Sequence, residues 1–459
     1  MRSVIAVSML VLLLIVGTTS FSKSVAAKKP NIIFIQADDL GYGDLSCYGQ
    51  QNFKTPNIDK LAAEGTRFTQ YYSGSTVCAP SRSALMTGQH TGHTRIRGNA
   101  RYPLQTEDVT VAEVLKSAGY RTGLVGKWGL GEADTVGIPT RQGFDYFFGY
   151  LNQRHAHNYY PSFLWRNEER VKLRNIVPNE DEEGSGISSN RLDYAPDLFT
   201  AEALKFIEQN SKDSFFLYLS YISPHANNEA KAKGMEVPTL AEFAAKNWPE
   251  PEKGKAAMIT RMDGDIGRLM ALLKQLGIEE NTVVFFTSDN GPHKEGGADP
   301  DFFDSNGKLR GIKRDLYEGG IRVPMIVRWP GKIGAGKTSE QVWAHWDFLP
   351  TAAAIAEAKT PSGIDGISML PALLGKKQRG HEFLYWEFHE RGFEQAVRMG
   401  DWKAVRHKLA DAIELYNLKD DLGEQNNLAS KHPEVVKKIE AYLGASRTES
   451  PLWPIKSRN

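Results

Sequence analysis

Short apolar runs rich in Ile, Val and Phe alternate along the chain with longer segments whose apolar residues recur at helical spacing. Ile32 to Ile35, Thr122 to Val125, Phe215 to Leu219, Val283 to Thr287 and Ile326 to Val327 read as buried strands. Val109 to Ala118 and Met258 to Leu276 read as helices between them. This alternation predicts an α/β fold, a large and mostly parallel sheet flanked by helices. The pattern changes after Ala358, where Thr360-Pro361-Ser362-Gly363 reads as a linker. Beyond it, Phe383 to Phe388, Ala396 to Arg398, Trp402 to Val405 and Glu414 to Leu418 predict a small antiparallel sheet with a turn at Gly400-Asp401. A last helix from about Pro433 to Leu443 is expected to pack on it. The expected division is a catalytic domain over 28–358 and a C-terminal subdomain over 359–459.

The first residues carry a basic Arg2, an apolar run from Val4 to Val16 and small residues at Val25, Ala26 and Ala27. That layout predicts a secretory signal peptide over 1–27, because the run is shorter than the roughly 20 residues that span a bilayer. The mature chain is therefore expected in the periplasm or outside the cell, with no membrane span after cleavage. With 459 residues, 56 Lys+Arg against 55 Asp+Glu and 41% hydrophobic residues, the chain has a globular composition and no excess charge for gripping nucleic acid. Two cysteines, Cys47 and Cys78, would by default pair in an exported protein. Cys78 has another use, argued below, which leaves Cys47 a small unpaired thiol.

In open α/β sheets the chemistry gathers just past the carboxyl ends of strands. Here those ends lead to Asp38 and Asp39, to Lys127, to His225, and to Asp289 and Asn290. Three carboxylates and an amide oxygen make a hard site suited to Ca²⁺, or to Mg²⁺ keeping several waters. Zinc is disfavoured because no His or Cys lies at these strand ends in ligand spacing. The segment Cys78-Ala79-Pro80-Ser81-Arg82 opens a helix closed by Gly88, with Pro80 in its first turn. Cys78 then meets the positive helix end, and Arg82, one turn on, reaches back toward it, a pocket for an anion.

These residues resemble a family. Cys78-Ala79-Pro80-Ser81-Arg82 is similar to the C-x-P-S-R signature of the type I sulfatases, formylglycine-dependent members of the alkaline phosphatase superfamily. Asp38-Asp39-Leu40-Gly41-Tyr42-Gly43-Asp44, Gly126-Lys127-Trp128, Ser223-Pro224-His225, Ser288-Asp289-Asn290-Gly291 and Lys313 ahead of Tyr317-Glu318-Gly319-Gly320 fit in the family's order. Arg398 to Lys403 and Glu414 to Leu418 resemble its C-terminal subdomain. The resemblance implies an alkaline phosphatase-like sheet and hydrolysis of sulfate esters, with a sulfated carbohydrate as substrate. It implies that a maturation enzyme oxidises Cys78 to Cα-formylglycine, whose hydrate attacks sulfur. It also implies Ca²⁺ held by Asp38, Asp39, Asp289, Asn290 and an oxygen of modified Cys78. Asp289 is further implied as proton acceptor, Arg82 as orienting the hydrate, Lys127 and Lys313 as neutralising the sulfate, and His225 as general acid.

One position departs from the family. Its second signature commonly reads G-K-W-H-L-G, and here Gly129 stands in place of a histidine that commonly contacts substrate or nucleophile. Substitutes are sought in two segments: His90, His93, Arg95 and Arg97, and His155 and His157. The stripe Asn152 to Trp165, with Tyr159 and Tyr160, has the aromatic and polar mixture of a sugar subsite. Other readings stay open: a phosphatase or phosphodiesterase of the same superfamily, a Cys-His hydrolase, and an inactive homologue that binds sulfated glycans.

Overall fold

A computed structural model describes residues 28–455. The signal peptide expected over 1–27 lies outside them.

The first strand, β1 (Asn31–Ala37), is buried along its whole length, as are β7 (Phe215–Ser220), β8 (Thr282–Ser288) and β9 (Arg322–Arg328). A strand covered on both faces reads as an unbroken apolar run, which is why these were visible in the sequence. Six further strands, β2 (Thr66–Tyr72), β3 (Arg121–Lys127), β4 (Tyr146–Tyr150), β5 (Phe163–Arg166), β6 (Glu169–Lys172) and β10 (Lys337–Ser339), complete the sheet order β10-β2-β9-β8-β1-β7-β3-β4-β5-β6. A short β11 (Trp343–Ala344) pairs with β2.

The centre β8-β1-β7-β3-β4 is parallel, so five carboxyl ends face one rim. β9 runs antiparallel to β8 and to β2. Gly126 in β3 stands at φ +113°, and a Cβ there would come within 1.8 Å of the Ser220 carbonyl oxygen of β7. Only glycine lets these strands close at that point.

Helices cover both faces. Glu250–Gln275 buries Met258, Met262, Ile266, Leu269 and Leu273, and Val111–Ser117 is closed by a reciprocal Thr110–Glu113 capping box. Four more strands, β12 (Leu384–Phe388), β13 (Glu394–Met399), β14 (Trp402–Arg406) and β15 (Glu414–Asn417), form a separate antiparallel sheet. One of its faces packs Tyr385, Val397 and Leu415 on Ile439 and Leu443 of the helix Pro433–Ala445. The other packs Trp386, Ala396 and Val405 with Tyr72 and Trp346 of the main domain. Within that interface Lys403 Nζ lies 3.1 Å from Glu318 and 3.4 Å from Glu424, all three fully buried. The expected α/β architecture with a small antiparallel sheet and helix is the one observed. No helix among the described residues is long and apolar enough to cross a membrane.

Candidate active site

Asp38 and Asp39 follow β1, and Asp289 and Asn290 follow its parallel neighbour β8, so adjacent registers bring the two acidic pairs side by side. The backbone locks them: Asp289 N–H donates to the Ala37 carbonyl at 3.1 Å, and Asp39 N–H to Asp289 Oδ1 at 3.1 Å. Asp39 is held at φ +63°, a left-handed conformation uncommon outside glycine. Asn290 Nδ2 donates to Asp39 Oδ1 at 2.6 Å and to the Gly291 carbonyl at 2.9 Å, while its Oδ1 is buried without a partner among the described residues.

Cys78 begins the helix Cys78–Thr87, which Gly88 closes at φ +70°. Its Sγ lies 3.4 Å from Asp38 Oδ1, and its side chain is buried. Burial, then the charge of Asp38, pushes the Cys78 thiol well above its ordinary range. The neighbouring Ala79 N–H donates to Asn99 Oδ1 at 2.9 Å. Cys47 is also free and partly buried, so no disulfide links the two cysteines; burial and Asp59 push its thiol up to about 12.

Lys127, at the end of β3, donates to Asp38 Oδ2 at 2.6 Å. Burial alone would raise the Asp38 carboxyl, but Lys127, His225 and Arg82 outweigh it and hold it well below the usual carboxylate range. Asp289 goes the other way, up to about 7, through burial and the neighbouring Asp38 charge. Lys313 donates to Asp39 Oδ2 at 2.8 Å and to His225 Nε2 at 3.1 Å, with Glu295 at 3.3 Å.

Arg82 corrects one expectation. The helix end and this guanidinium were read as an open anion pocket, but Arg82 is fully buried with its donors turned to protein acceptors. Its Nε and Nη2 reach Asp289 at 3.2 and 2.9 Å, Nη2 reaches Asp38 at 3.2 Å, and Nη1 meets the Lys127 carbonyl, Tyr218 and Ser220. Its charge fixes Asp38, which lies against Cys78, and Asp289.

His225 corrects another. Its Nδ1 donates to the Ala226 carbonyl at 2.7 Å, leaving Nε2 to accept from Lys313. Burial, then Lys313, pushes the ring down to about 3, below the working range expected of it. Nitrogen and sulfur donors are also closer to the carboxylates than the sequence suggested. Ligand atoms of Asp38, Asp39, Cys78 and His225 lie within 4.8 Å of one another, as do those of Asp39, His293 and Glu295. His293 and Glu295 escaped the sequence reading, although they follow Asn290-Gly291-Pro292 directly.

Of the substitutes sought for the residue-129 histidine, one reaches the site. The His157 ring stacks on that of His225 at 4.9 Å between centroids and pairs with Glu229 at 3.3 Å. His93 is bound to Asp365 at 2.8 Å and stacks on His90. Arg95 pairs with Glu107 and Asp108. Arg97 is buried against Glu387 of β12 at 2.9 Å. His155 is packed between Tyr150 and Phe163 and pushed down to about 3 by burial. These four therefore serve structure rather than substrate, because each is already committed to a partner or the core. Tyr159 and Tyr160 are core residues too, the former donating to the Ile222 and His225 carbonyls at 2.7 Å. Trp165 and Phe163 instead line a groove of about 530 Å³ with Arg101, Glu132, Asn152 and Arg154.

An α/β chain with a separate small antiparallel sheet, acidic pairs at two strand ends and a cysteine at a helix start defines the class. The Sulfatase family profile matches residues 30–358, and that of the N-sulphoglucosamine sulphohydrolase C-terminal region matches 311–449. The chain belongs to the sulfatase family and is a sulfuric ester hydrolase. It is 32% identical to an N-acetylgalactosamine-6-O-sulfatase of Bacteroides thetaiotaomicron, over 92% of this chain and 94% of the relative. It is 35% identical to human arylsulfatase A, over 82% and 75%. The crystal structure of Ps i-CgsB in complex with k-i-k-neocarrahexaose superposes with a TM-score of 0.79 at 28% identity, covering 94% of this chain and 96% of that one.

Proposed function

We propose that this sulfatase removes sulfate from a carbohydrate in the periplasm or outside the cell, using Cα-formylglycine made from Cys78 by a maturation enzyme and a calcium ion. The observation that carries the reading is the placement of Cys78 Sγ 3.4 Å from Asp38, beside a buried oxygen-rich set whose Asn290 Oδ1 lacks a partner. Asp38, Asp39, Asp289 and Asn290 would hold the cation, a donor set of oxygens that suits a hard metal. When bound, it supplies positive charge to polarise the sulfate and to acidify the nucleophile. Formylglycine, as its hydrate, would supply one hydroxyl to displace the alcohol from sulfur and a second to release the sulfate.

The chain's own residues do the rest. Arg82 holds Asp38 and Asp289 in place. Lys127 and Lys313, each already on a carboxylate of the set, lie where they can share their charge with sulfate oxygens. His225 Nε2, 3.1 Å from Lys313 Nζ, is the nitrogen placed to exchange a proton with the departing alcohol. His157 packs on the His225 ring and fixes its plane. A Cys-His hydrolase is disfavoured: the Cys78 thiol is bonded to Asp38 rather than to a histidine and is pushed away from the thiolate. A two-metal phosphatase would use a Ser or Thr nucleophile where this chain has Cys78, and commonly Asp-His where it has Asp289-Asn290.

The carbohydrate substrate is supported by the aromatic and polar groove and by the sugar-directed relatives. Mass spectrometry of the peptide containing residue 78, from protein produced with and without the maturation enzyme, tests the nucleophile. An aldehyde or its hydrate at residue 78 together with turnover is expected, and a free thiol in fully active enzyme would overturn it.

A further inference from the structure

A side chain at position 129 has no room of its own. Gly129 sits at φ +80°, and a Cβ built on it would lie 2.0 Å from Nε2 of Gln153. The carboxamide of Gln153 therefore occupies the space beside β3 that a residue-129 side chain would enter. Both of its polar atoms, Nε2 and Oε1, are buried and have no partner among the described residues. Such groups are rare in folded proteins, because they lose water and gain nothing in return.

The backbone around Gln153 is fixed. Gly129 N–H donates to the Leu151 carbonyl at 2.9 Å on one side, and His155 N–H donates to Asn152 Oδ1 at 2.8 Å on the other. Gln153, Gly129 and Asn99 line one cavity of about 90 Å³, and Asn99 is the residue that accepts from Ala79 N–H next to Cys78. That cavity shares Arg101, Glu132 and Arg154 with the larger groove bearing Phe163 and Trp165. Four residues beyond Gln153, His157 stacks on His225. One short loop thus reaches His225 at one end and shares a cavity with Asn99, beside Ala79, at the other.

We propose that Gln153 is a specificity-determining residue whose carboxamide hydrogen-bonds a neutral hydroxyl or acetamido group on the sugar that carries the sulfate. It takes the place left by the family's histidine at Gly129. Nε2 donates and Oε1 accepts, so one amide pairs with a group that does both. A carboxamide neither carries charge nor exchanges a proton near neutrality, so the group selected is uncharged and the contribution is positional. This inference rests on the carbohydrate sulfatase reading above.

The test compares kcat/KM on 4-nitrophenyl sulfate with kcat/KM on a panel of O-sulfated galactose, N-acetylgalactosamine and N-acetylglucosamine monosaccharides, using mature enzyme. In Gln153→Ala the sugar-to-aryl ratio on the best sugar should fall about tenfold or more, chiefly through KM. Gln153→Glu keeps the shape but replaces the donor with an anion, and its ratio should fall at least as far; a packing role would lower both substrates together and leave the ratio unchanged. Gly129→His should be impaired on both substrates, by its clash with Gln153 and by the strain of a side chain at φ +80°, and adding Gln153→Ala should relieve only the clash. An unchanged ratio in both Gln153 variants overturns the role of Gln153 while leaving the sulfatase reading intact. Wild-type enzyme that hydrolyses the aryl ester but no sugar of the panel overturns the carbohydrate reading itself, and this inference with it.

Discussion

The guanidinium of Arg97 donates to the carboxylate of Glu387 at 2.9 Å, joining the loop after the Cys78–Thr87 helix to strand β12 of the C-terminal sheet. Glu387 also receives His389 at 3.0 Å and Arg447 at 3.1 Å. The C-terminal sheet is thereby bound to the segment that leaves the nucleophile helix.

Removing this pair should cost stability rather than turnover. Arg97→Ala is expected to lose about 3 kcal/mol of folding free energy, because a buried carboxylate loses one of its partners. The kcat/KM of the folded fraction should stay near wild type, and a large loss of kcat with an unchanged melting temperature would restore Arg97 to the substrate site. Burial opposes the Glu387 carboxylate, but His389, Arg97 and Arg447 outweigh it and bring its carboxyl down to about 2. A depressed carboxylate contributes stability that is complete above its unfolded value near pH 4.5 and is lost as pH falls toward 2. Glu387→Gln should therefore flatten the acid limb of the melting-temperature profile in that window.

Cys78→Ala should abolish sulfate-ester hydrolysis with little change in melting temperature, since the side chain makes one weak contact with Asp38. Cys78→Ser should be nearly as inactive, because a sulfated serine has no second hydroxyl to release it. Both are read by continuous assay and thermal melting. Steady multiple turnover by either variant would count against the formylglycine route.

Exhaustive chelation should lower both activity and melting temperature, and added calcium should restore both, since an ion bound only by the native state stabilises it by mass action. Asp38→Ala and Asp289→Ala should each lower kcat by several orders of magnitude. In each variant Arg82 loses one of its two buried carboxylate partners, so the melting temperature should fall as well. An unchanged rate and melting curve after chelation would remove the metal from the site.

His225→Ala should impair a carbohydrate sulfate more than an aryl sulfate, because a phenolate leaves without protonation and an alkoxide does not. His157→Ala, which frees the His225 ring without removing it, should show the same bias at smaller size. Equal losses on both substrates would argue that His225 binds sulfate rather than handling the leaving-group proton.

The sequence by itself determined five strands of the main sheet, β1, β3, β7, β8 and β9. Strands such as Ile32 to Ile35 and Val283 to Thr287 are buried on both faces, so solvent exclusion wrote them as continuous apolar runs that no neighbour is needed to interpret. It also carried the acidic pairs and the Cys78 helix start, because each is local: a strand end, a turn or a first helical turn keeps its chemistry within a few residues. What only the tertiary structure decided were the partners. His93, Arg97 and His155 have the composition of a substrate loop, yet Asp365, Glu387 and an aromatic pocket claim them from hundreds of residues away or from the core. Arg82 was legible as a residue facing Cys78 but not as one saturated by two carboxylates, and the low affinity of His225 for a proton follows from burial and Lys313, 88 residues distant. Gln153 lies inside the stripe Asn152 to Trp165 that reads as a sugar subsite, but nothing in the sequence singles it out. A neutral amide three residues past a strand end is ordinary in composition, and its place opposite Gly129 exists only because parallel pairing of β3 and β4 sets residues 129 and 151 side by side. Charge pairing and occupancy depend on distance in space, and chain spacing encodes that distance only within an element.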